Sequence, residues 1–211
     1  MGASSDRRVR GAGHPPAARQ GAALQVVACA ASAGGLNALS QLISGLPPDF
    51  PAAVVVVQHL DPRHRSLMAE ILSKHTHLRV EQAREDRHLE PATVYIAPPN
   101  RHLLVNPDAS LALTESELVH FVRPSADLLF ESVAANFRER AIGVVLSGTG
   151  KDGSMGVTAI KKMGGTVIVQ DPKTAEFPGM PAAAIETGSV DSTLPLEEIA
   201  DALVALVMKS E

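Results

Sequence analysis

The stretch Ala141-Ile-Gly-Val-Val-Leu-Ser-Gly-Thr-Gly-Lys-Asp-Gly-Ser-Met-Gly156 decides the fold. Its apolar run from Ile142 to Leu146 predicts a strand that is covered on both faces, as in a parallel sheet. The glycines that follow indicate a tight turn, and a helix is expected from about Gly153. This turn places Asp152 at the carboxyl end of a strand, the edge at which open α/β sheets bind their ligands.

Other segments repeat this order of strand, turn and helix. Apolar runs at residues 24–31, 52–58 and 166–170 predict three further strands, and periodic apolar patterns after them predict helices. Strands that alternate with helices indicate parallel pairing through right-handed crossovers. The segments 102–105 and 111–114 instead predict a small antiparallel hairpin. We therefore expect an α/β fold with a doubly wound, mostly parallel sheet, helices on both faces in three layers, and this hairpin.

Composition narrows the class of protein. The 211 residues are 45% hydrophobic and 20% charged, which is typical of one globular domain. Aromatic residues make up only 3% and the formal net charge is -4, so nucleic-acid binding is not expected. No apolar segment is long enough for a signal peptide or a membrane span, and the single cysteine, Cys29, fits a reducing compartment. We expect a cytoplasmic protein without membrane insertion, with a disordered tail at residues 1–22 and a domain at 23–211.

Three polar residues follow the clearest predicted strands: Ser32, His59 and Asp152. The carboxyl ends of neighbouring parallel strands share one edge of a sheet, so these residues can meet there. A serine, a histidine that takes its proton, and an aspartate that orients the histidine form the set used in nucleophilic hydrolysis. Backbone N–H groups around Thr149 and Gly150 can serve an oxyanion.

Each of these residues also has a structural interpretation. Ser32 can cap a helix that begins near Gly35, and Asp152 can cap the helix from about Gly153. His59 can be an ordinary surface or core histidine. The other histidines show no recognised zinc spacing, so no metal site is expected. The residues taken singly leave both interpretations open.

Two other site types compete for the same residues. Gly148-Thr-Gly-Lys-Asp-Gly153 matches G-x-G-x-x-G, the dinucleotide-binding pattern, but Asp152 would repel a pyrophosphate at the helix N-terminus. An ordinary α/β-hydrolase is disfavoured, because Ala30-Ala-Ser-Ala-Gly34 lacks the first glycine of G-x-S-x-G. Its triad would also follow the order serine, acid, histidine, whereas here the histidine precedes the acid.

Six motifs occur along the chain: Ala31-Ser-Ala-Gly-Gly35, Gln58-His59, Tyr95-Ile-Ala-Pro98, Arg123-Pro-Ser-Ala-Asp127, Leu146-Ser-Gly-Thr-Gly-Lys-Asp-Gly153 and Phe177-Pro-Gly-Met-Pro181. In this order they resemble the CheB-type chemotaxis protein-glutamate methylesterase catalytic domain. The resemblance implies a serine hydrolase that demethylates glutamate γ-methyl esters on the helical cytoplasmic bundles of methyl-accepting chemoreceptors and releases methanol. Some members of the family also deamidate receptor glutamines. No cofactor is implied.

The resemblance also assigns roles to residues. It implies Ser32 as nucleophile, His59 as general base and Asp152 as the acid that orients the base. Thr149 would contribute a backbone N–H to the oxyanion hole. The loop that meets the oxyanion and the substrate is expected to comprise Thr149, Gly150, Ala33 and Gly34.

Three departures from the family pattern stand out. The usual threonine after the nucleophile is Ala33, and the usual arginine after Gly-Met-Pro is Ala182, changes expected to affect substrate positioning. The amino-terminal receiver domain is missing. This implies an excised or stand-alone catalytic domain, or control by a separate regulatory or receiver protein. A non-catalytic receptor-docking module is the alternative from another class, and the intact triad argues against it.

Overall fold

The computed structural model describes residues 24–59 and 66–208, so the tail predicted at residues 1–22 lies outside the described part. The strands are β1 (Gln25–Ala31), β2 (Ala52–Gln58), β3 (Arg79–Gln82), β4 (Thr93–Ile96), β5 (His102–Val105), β6 (Leu111–Thr114), β7 (Ala141–Val145), β8 (Thr166–Gln170) and β9 (Ser192–Leu194). The α-helices are α1 (Gly35–Ser44), α2 (Met68–Leu72), α3 (Ala126–Phe137), α4 (Ser154–Lys162), α5 (Gly179–Glu186) and α6 (Leu196–Met208). A short 3-10 helix, Arg138–Arg140, follows α3.

The main sheet contains seven strands in the order β3-β4-β2-β1-β7-β8-β9, and all of its pairs are parallel. Strands β5 and β6 form the separate antiparallel hairpin. The predicted fold class is therefore confirmed. The chain order reverses between β1 and β7, and this switch point is where open α/β sheets form their ligand crevice.

Helices cover both faces of the sheet because its central strands are apolar on both sides. Along β1, Val26, Ala28 and Ala30 face a core shared with α3, α4 and α5. The alternate residues Val27 and Cys29 face a second core with α1, α2 and α6. Strand residues point alternately to the two faces, so an uninterrupted apolar run is the pattern that a strand between two helical layers requires.

The two outermost strands, β3 and β9, were not predicted. Both are short, and their side chains are half-buried or exposed rather than enclosed. Edge strands need few apolar residues, because one side of the strand meets solvent. The continuous apolar run that marks β1, β2 and β7 is therefore absent from β3 and β9.

None of the described helices has the length and apolar character needed to cross a membrane.

Candidate active site

Ser32 lies in the turn between β1 and α1 and is held through its backbone. Its N–H donates to the carbonyl oxygen of Ser147 at 3.0 Å, and its carbonyl accepts from the N–H of Gly35 at 2.9 Å. The residue that caps α1 is Gly34, and the helix has no side-chain cap. The helix-capping interpretation of Ser32 is therefore wrong, and its hydroxyl is not committed to the helix.

Position 34 requires a glycine. Its φ of 72° lies in the left-handed region, and a side chain there would come within 2.7 Å of Ser147 Oγ and 2.9 Å of Glu176 Oε2. Ser147 Oγ also donates to the carbonyl of Ala33 at 2.9 Å. The turn that holds Ser32 is thus packed against the turn that follows β7.

His59 directly follows β2, the neighbour of β1. Its backbone N–H donates to Ala31 at 3.2 Å, and its ring Nε2 lies 2.8 Å from Asp152 Oδ2. The Nε2–H therefore donates to the carboxylate, which leaves Nδ1 as the nitrogen able to accept a proton. Within the described residues, Ser32 Oγ makes no hydrogen bond to this ring. Such contacts commonly close only when substrate binds.

Gln58 joins the two turns. Its side-chain Nε2 donates to the backbone carbonyls of Ser32 at 2.6 Å and His59 at 3.1 Å. Its side chain is 5% exposed, and it also lies against Gly35, where any side chain would collide with it. One buried amide thus bonds to the backbone of both the turn that holds Ser32 and the turn that holds His59.

Asp152 is 5% exposed and accepts three hydrogen bonds besides that from His59. Ser125 Oγ donates at 2.8 Å, and the N–H groups of Ala126 and Asp127 donate at 2.6 and 3.2 Å. Burial alone would raise the pKa of this carboxyl, but the bonds from His59, Ala126 and Ser125 favour the ionised form, and the pKa is lowered. Asp152 thus accepts hydrogen bonds from the N-terminus of α3. It does not cap α4, whose cap residue is Gly153 without a side-chain bond.

A second carboxylate lies beside Asp152. Asp127 is 3% exposed, and its Oδ1 accepts from the N–H of Gly156 at 2.8 Å. Its Oδ2 lies 3.2 Å from Nε2 of His120. Burial raises the pKa of Asp127, and the negative charge of Asp152 adds to that effect.

The turn after β7 is supported by the segment that leads into α5. The N–H of Gly148 donates to Phe177 at 2.9 Å, and its carbonyl accepts from Met180 at 2.8 Å. A side chain on Gly148 would lie 2.9 Å from Cβ of Ser32, so this turn adjoins the nucleophile. Among residues 24–59 and 66–208, the N–H groups of Thr149 and Gly150 have no acceptor. Such N–H groups are the donors that an oxyanion needs.

The thiol of Cys29 is a further nucleophilic group of the chain, and burial excludes it as a candidate. It lies within β1 with no exposed surface, and burial raises the pKa of its thiol to about 12. A thiol in that state is not a nucleophile near neutral pH.

The structure adds three residues to the site that were not assigned individually: Gln58, Ser125 and Ser147. Gln58 and Ser125 lie inside motifs that the sequence displays, next to His59 and before Asp127. The signal that the sequence offered for them was an amide or hydroxyl side chain close to a candidate site residue. Nothing in the sequence shows that Ser125 bonds to a residue 27 positions away.

The chain is similar in sequence to a known protein family and to several of its members. The family model described as CheB methylesterase matches residues 27–203. A Leptospira interrogans protein with the provisional name protein-glutamate methylesterase/protein-glutamine glutaminase is 40% identical over 182 residues, covering 86% of this chain and 94% of that protein. A Burkholderia thailandensis protein named protein-glutamate methylesterase/protein-glutamine glutaminase 4 is 42% identical over 193 residues, or 92% of this chain and 56% of its own length. The chain therefore spans nearly all of the first relative and about half of the second.

A solved structure shares the fold. The crystal structure of the Thermotoga maritima CheB methylesterase catalytic domain superposes with a TM-score of 0.85 at 36% sequence identity. The match covers 88% of this chain and 100% of that domain.

Proposed function

The chain belongs to the CheB methylesterase family, a family of hydrolases, and on that premise we propose that it hydrolyses glutamate γ-methyl esters on chemoreceptors and releases methanol. The observation that carries the proposal is the 2.8 Å hydrogen bond from His59 to Asp152, at the strand end next to Ser32. An ionised carboxylate that holds one nitrogen of an imidazole leaves the other free to activate a hydroxyl.

The first half of the reaction forms an acyl-enzyme. Ser32 Oγ attacks the ester carbonyl carbon while Nδ1 of His59 takes the hydroxyl proton, and Asp152 stabilises the resulting imidazolium. The carbonyl oxygen becomes an oxyanion, for which we assign the N–H groups of Thr149 and Gly150 as donors. When the tetrahedral intermediate collapses, the carbon–methoxy bond breaks and His59 returns its proton to the leaving oxygen, which departs as methanol.

The second half hydrolyses the acyl-enzyme. His59 takes a proton from water, whose oxygen attacks the acyl carbon, and the bond to Ser32 Oγ breaks as the serine is reprotonated. The products are a glutamate side chain and the free enzyme.

Deamidation of receptor glutamines is a second activity that we propose for the same site. The names of the Leptospira and Burkholderia relatives include protein-glutamine glutaminase. The chemistry differs only in its leaving group, because the amide carbon is attacked in the same way and ammonia departs in place of methanol.

We assign the catalytic domain to residues 23–211 and place the reaction in the cytoplasm, on the helical signalling bundle of a methyl-accepting chemoreceptor. The family match over residues 27–203 supports these limits. Control by a separate regulatory or receiver protein stays a prediction.

The test is methanol release from a receptor bundle that carries methylated glutamates. We expect Ser32→Ala to lower the rate by at least about 10⁴-fold, because removal of a triad nucleophile leaves only binding and oxyanion stabilisation. Ser44→Ala is the matched control, since Ser44 is an exposed serine at the end of α1 and should leave the rate unchanged. If Ser32→Ala released methanol at the rate of the parent, the assignment of Ser32 as the nucleophile would be rejected. Binding of the bundle without any release by the parent chain would favour the non-catalytic docking module.

A further inference from the structure

The loop between β6 and α3, residues 115–122, exposes an aromatic side chain. Phe121 is 95% exposed and Leu118 is 55% exposed. The loop also holds two non-glycine residues at positive φ, His120 at 49° and Phe121 at 66°. Such a backbone is strained for residues other than glycine, and an exposed phenylalanine gains nothing from burial in the core. Folding alone does not account for this arrangement.

The loop is anchored at its base by several hydrogen bonds. The Arg123 guanidinium donates to the carbonyls of Glu115 at 2.7 Å and Ser116 at 2.6 Å, and also to Asn100 Oδ1. Val119 and Val122 exchange backbone hydrogen bonds of 3.2 and 2.9 Å across the tip. The outward position of Phe121 is therefore built into the loop by its own contacts.

Two contacts connect the loop with the catalytic carboxylate. His102 Nδ1 accepts from the N–H of Ser125 at 3.1 Å, so its Nε2–H donates to the carbonyl of Glu117 at 3.0 Å, and Ser125 in turn donates to Asp152. On the other side, His120 lies 3.2 Å from Asp127, whose N–H donates to Asp152. The loop thus flanks the carboxylate that orients His59.

A further exposed apolar residue is connected to the loop through Asp127, which contacts His120 and accepts from the N–H of Gly156. Met155, in the first turn of α4 and three residues after Asp152, is 60% exposed. Phe121 and Met155 are the chain neighbours of His120 and Gly156, which both contact Asp127, and we call these two residues, with Leu118 of the same loop, the apolar rim.

We propose that the apolar rim docks the substrate helix, with Phe121 as its anchor against the apolar stems on the helix surface. This inference rests on the proposed function. A glutamyl side chain is short, so the helix that carries its ester must lie against the mouth of the site while the ester reaches Ser32. A helix that binds in this way contacts its partner through residues spaced by three and four positions, and aromatic anchors supply much of the affinity.

The experiment compares two substrates with the full chain and two variants. Methanol release is measured against the concentration of methylated receptor bundle, and hydrolysis of p-nitrophenyl acetate reports on the same site without a helix to dock. We expect Phe121→Ala to lower kcat/KM for the bundle about tenfold through a higher KM, with less than a twofold change for the small ester. Met208→Ala removes a comparably exposed apolar side chain from the end of α6, on the opposite face of the sheet, and should change neither.

Three results would overturn the proposal. They are an unchanged kcat/KM of Phe121→Ala for the bundle, a loss that falls on kcat alone, and an equal loss for both esters. Thermal unfolding of the variant checks that the exposed substitution leaves the fold intact. If the parent chain binds the bundle but releases no methanol, the proposed function fails by itself. Direct binding of the bundle to the parent and to Phe121→Ala then decides the docking proposal, which requires about tenfold weaker binding by the variant.

Discussion

Two aspartates lie side by side at the N-terminus of α3, equally buried but with opposite electrostatic environments. Asp152 accepts from His59, Ser125 and two backbone N–H groups, and its pKa is lowered. Asp127 accepts one backbone N–H and faces His120, and its pKa is raised. The number of hydrogen-bond donors, rather than the depth of burial, therefore sets the direction in which the pKa of each carboxyl moves.

This difference separates the roles of the two residues. The ionised Asp152 can hold the imidazolium that forms on His59 during proton transfer. Asp127 contributes its backbone N–H to Asp152 and accepts from the start of α4. Three predictions test whether the two carboxylates differ as much as their surroundings do.

The largest expected effect is on catalysis by Asp152→Asn. The amide cannot hold the imidazolium or the same ring tautomer, so methanol release should fall by about 10³- to 10⁴-fold. Release from the methylated bundle, measured at saturating substrate, checks this. Asp201→Asn, an exposed aspartate on α6, serves as the matched control and should leave the rate unchanged. A loss of less than tenfold in Asp152→Asn would mean that His59 acts without this carboxylate.

The next effect concerns the dependence of stability on pH in the same variant. The pKa of Asp152 is lower in the folded chain than its ordinary value of 3.8, so its stabilising contribution is present above that value and lost as pH falls through the folded pKa. Asp152→Asn should lower the free energy of unfolding by about 2 kcal/mol at pH 7, because the amide offers one acceptor oxygen in place of two and part of the donors around it lose their partner.

Denaturant unfolding of the parent and Asp152→Asn between pH 7 and pH 2 measures this difference. The gap between the two should narrow below about pH 4, as Asp152 of the parent becomes protonated. A constant gap across this range would show that folding does not lower the pKa of Asp152.

The smallest effect is expected for Asp127→Asn, with the opposite sign. The pKa of Asp127 is raised in the folded chain, so the parent loses stability relative to the amide variant as pH rises from 3.8 through the folded pKa. Asp127→Asn should therefore gain about 1 kcal/mol on the parent between pH 4 and pH 8, and its rate of methanol release should stay within about tenfold. The two residues would not differ in role if the free energies of unfolding of Asp127→Asn and the parent changed with pH in the same way. A rate loss as large as that of Asp152→Asn would lead to the same conclusion.

Much of the site's position followed from sequence patterns, because the central strands are fully apolar. The runs that became β1, β2 and β7 placed Ser32, His59 and Asp152 at three neighbouring strand ends. The edge strands β3 and β9 escaped prediction since half-exposed strands carry no such run. The capping interpretation of Asp152 failed for a different reason. A local pattern cannot show that a carboxylate will accept from the N-terminus of a helix that precedes it by 25 residues or more.

Sequence patterns alone were enough to place the central strands and the helices in order along the chain, and with them the edge of the sheet where these side chains lie. That order can be inferred from hydrophobic patterns, because these patterns depend only on residues that are close together in the chain. Three features came from tertiary contacts alone: Nε2 of His59 meets Asp152, Gln58 joins the two turns, and the pKa is lowered for Asp152 but raised for Asp127. Hydrogen bonds and charge depend on which groups approach within a few ångströms, and those groups come from segments far apart in the chain.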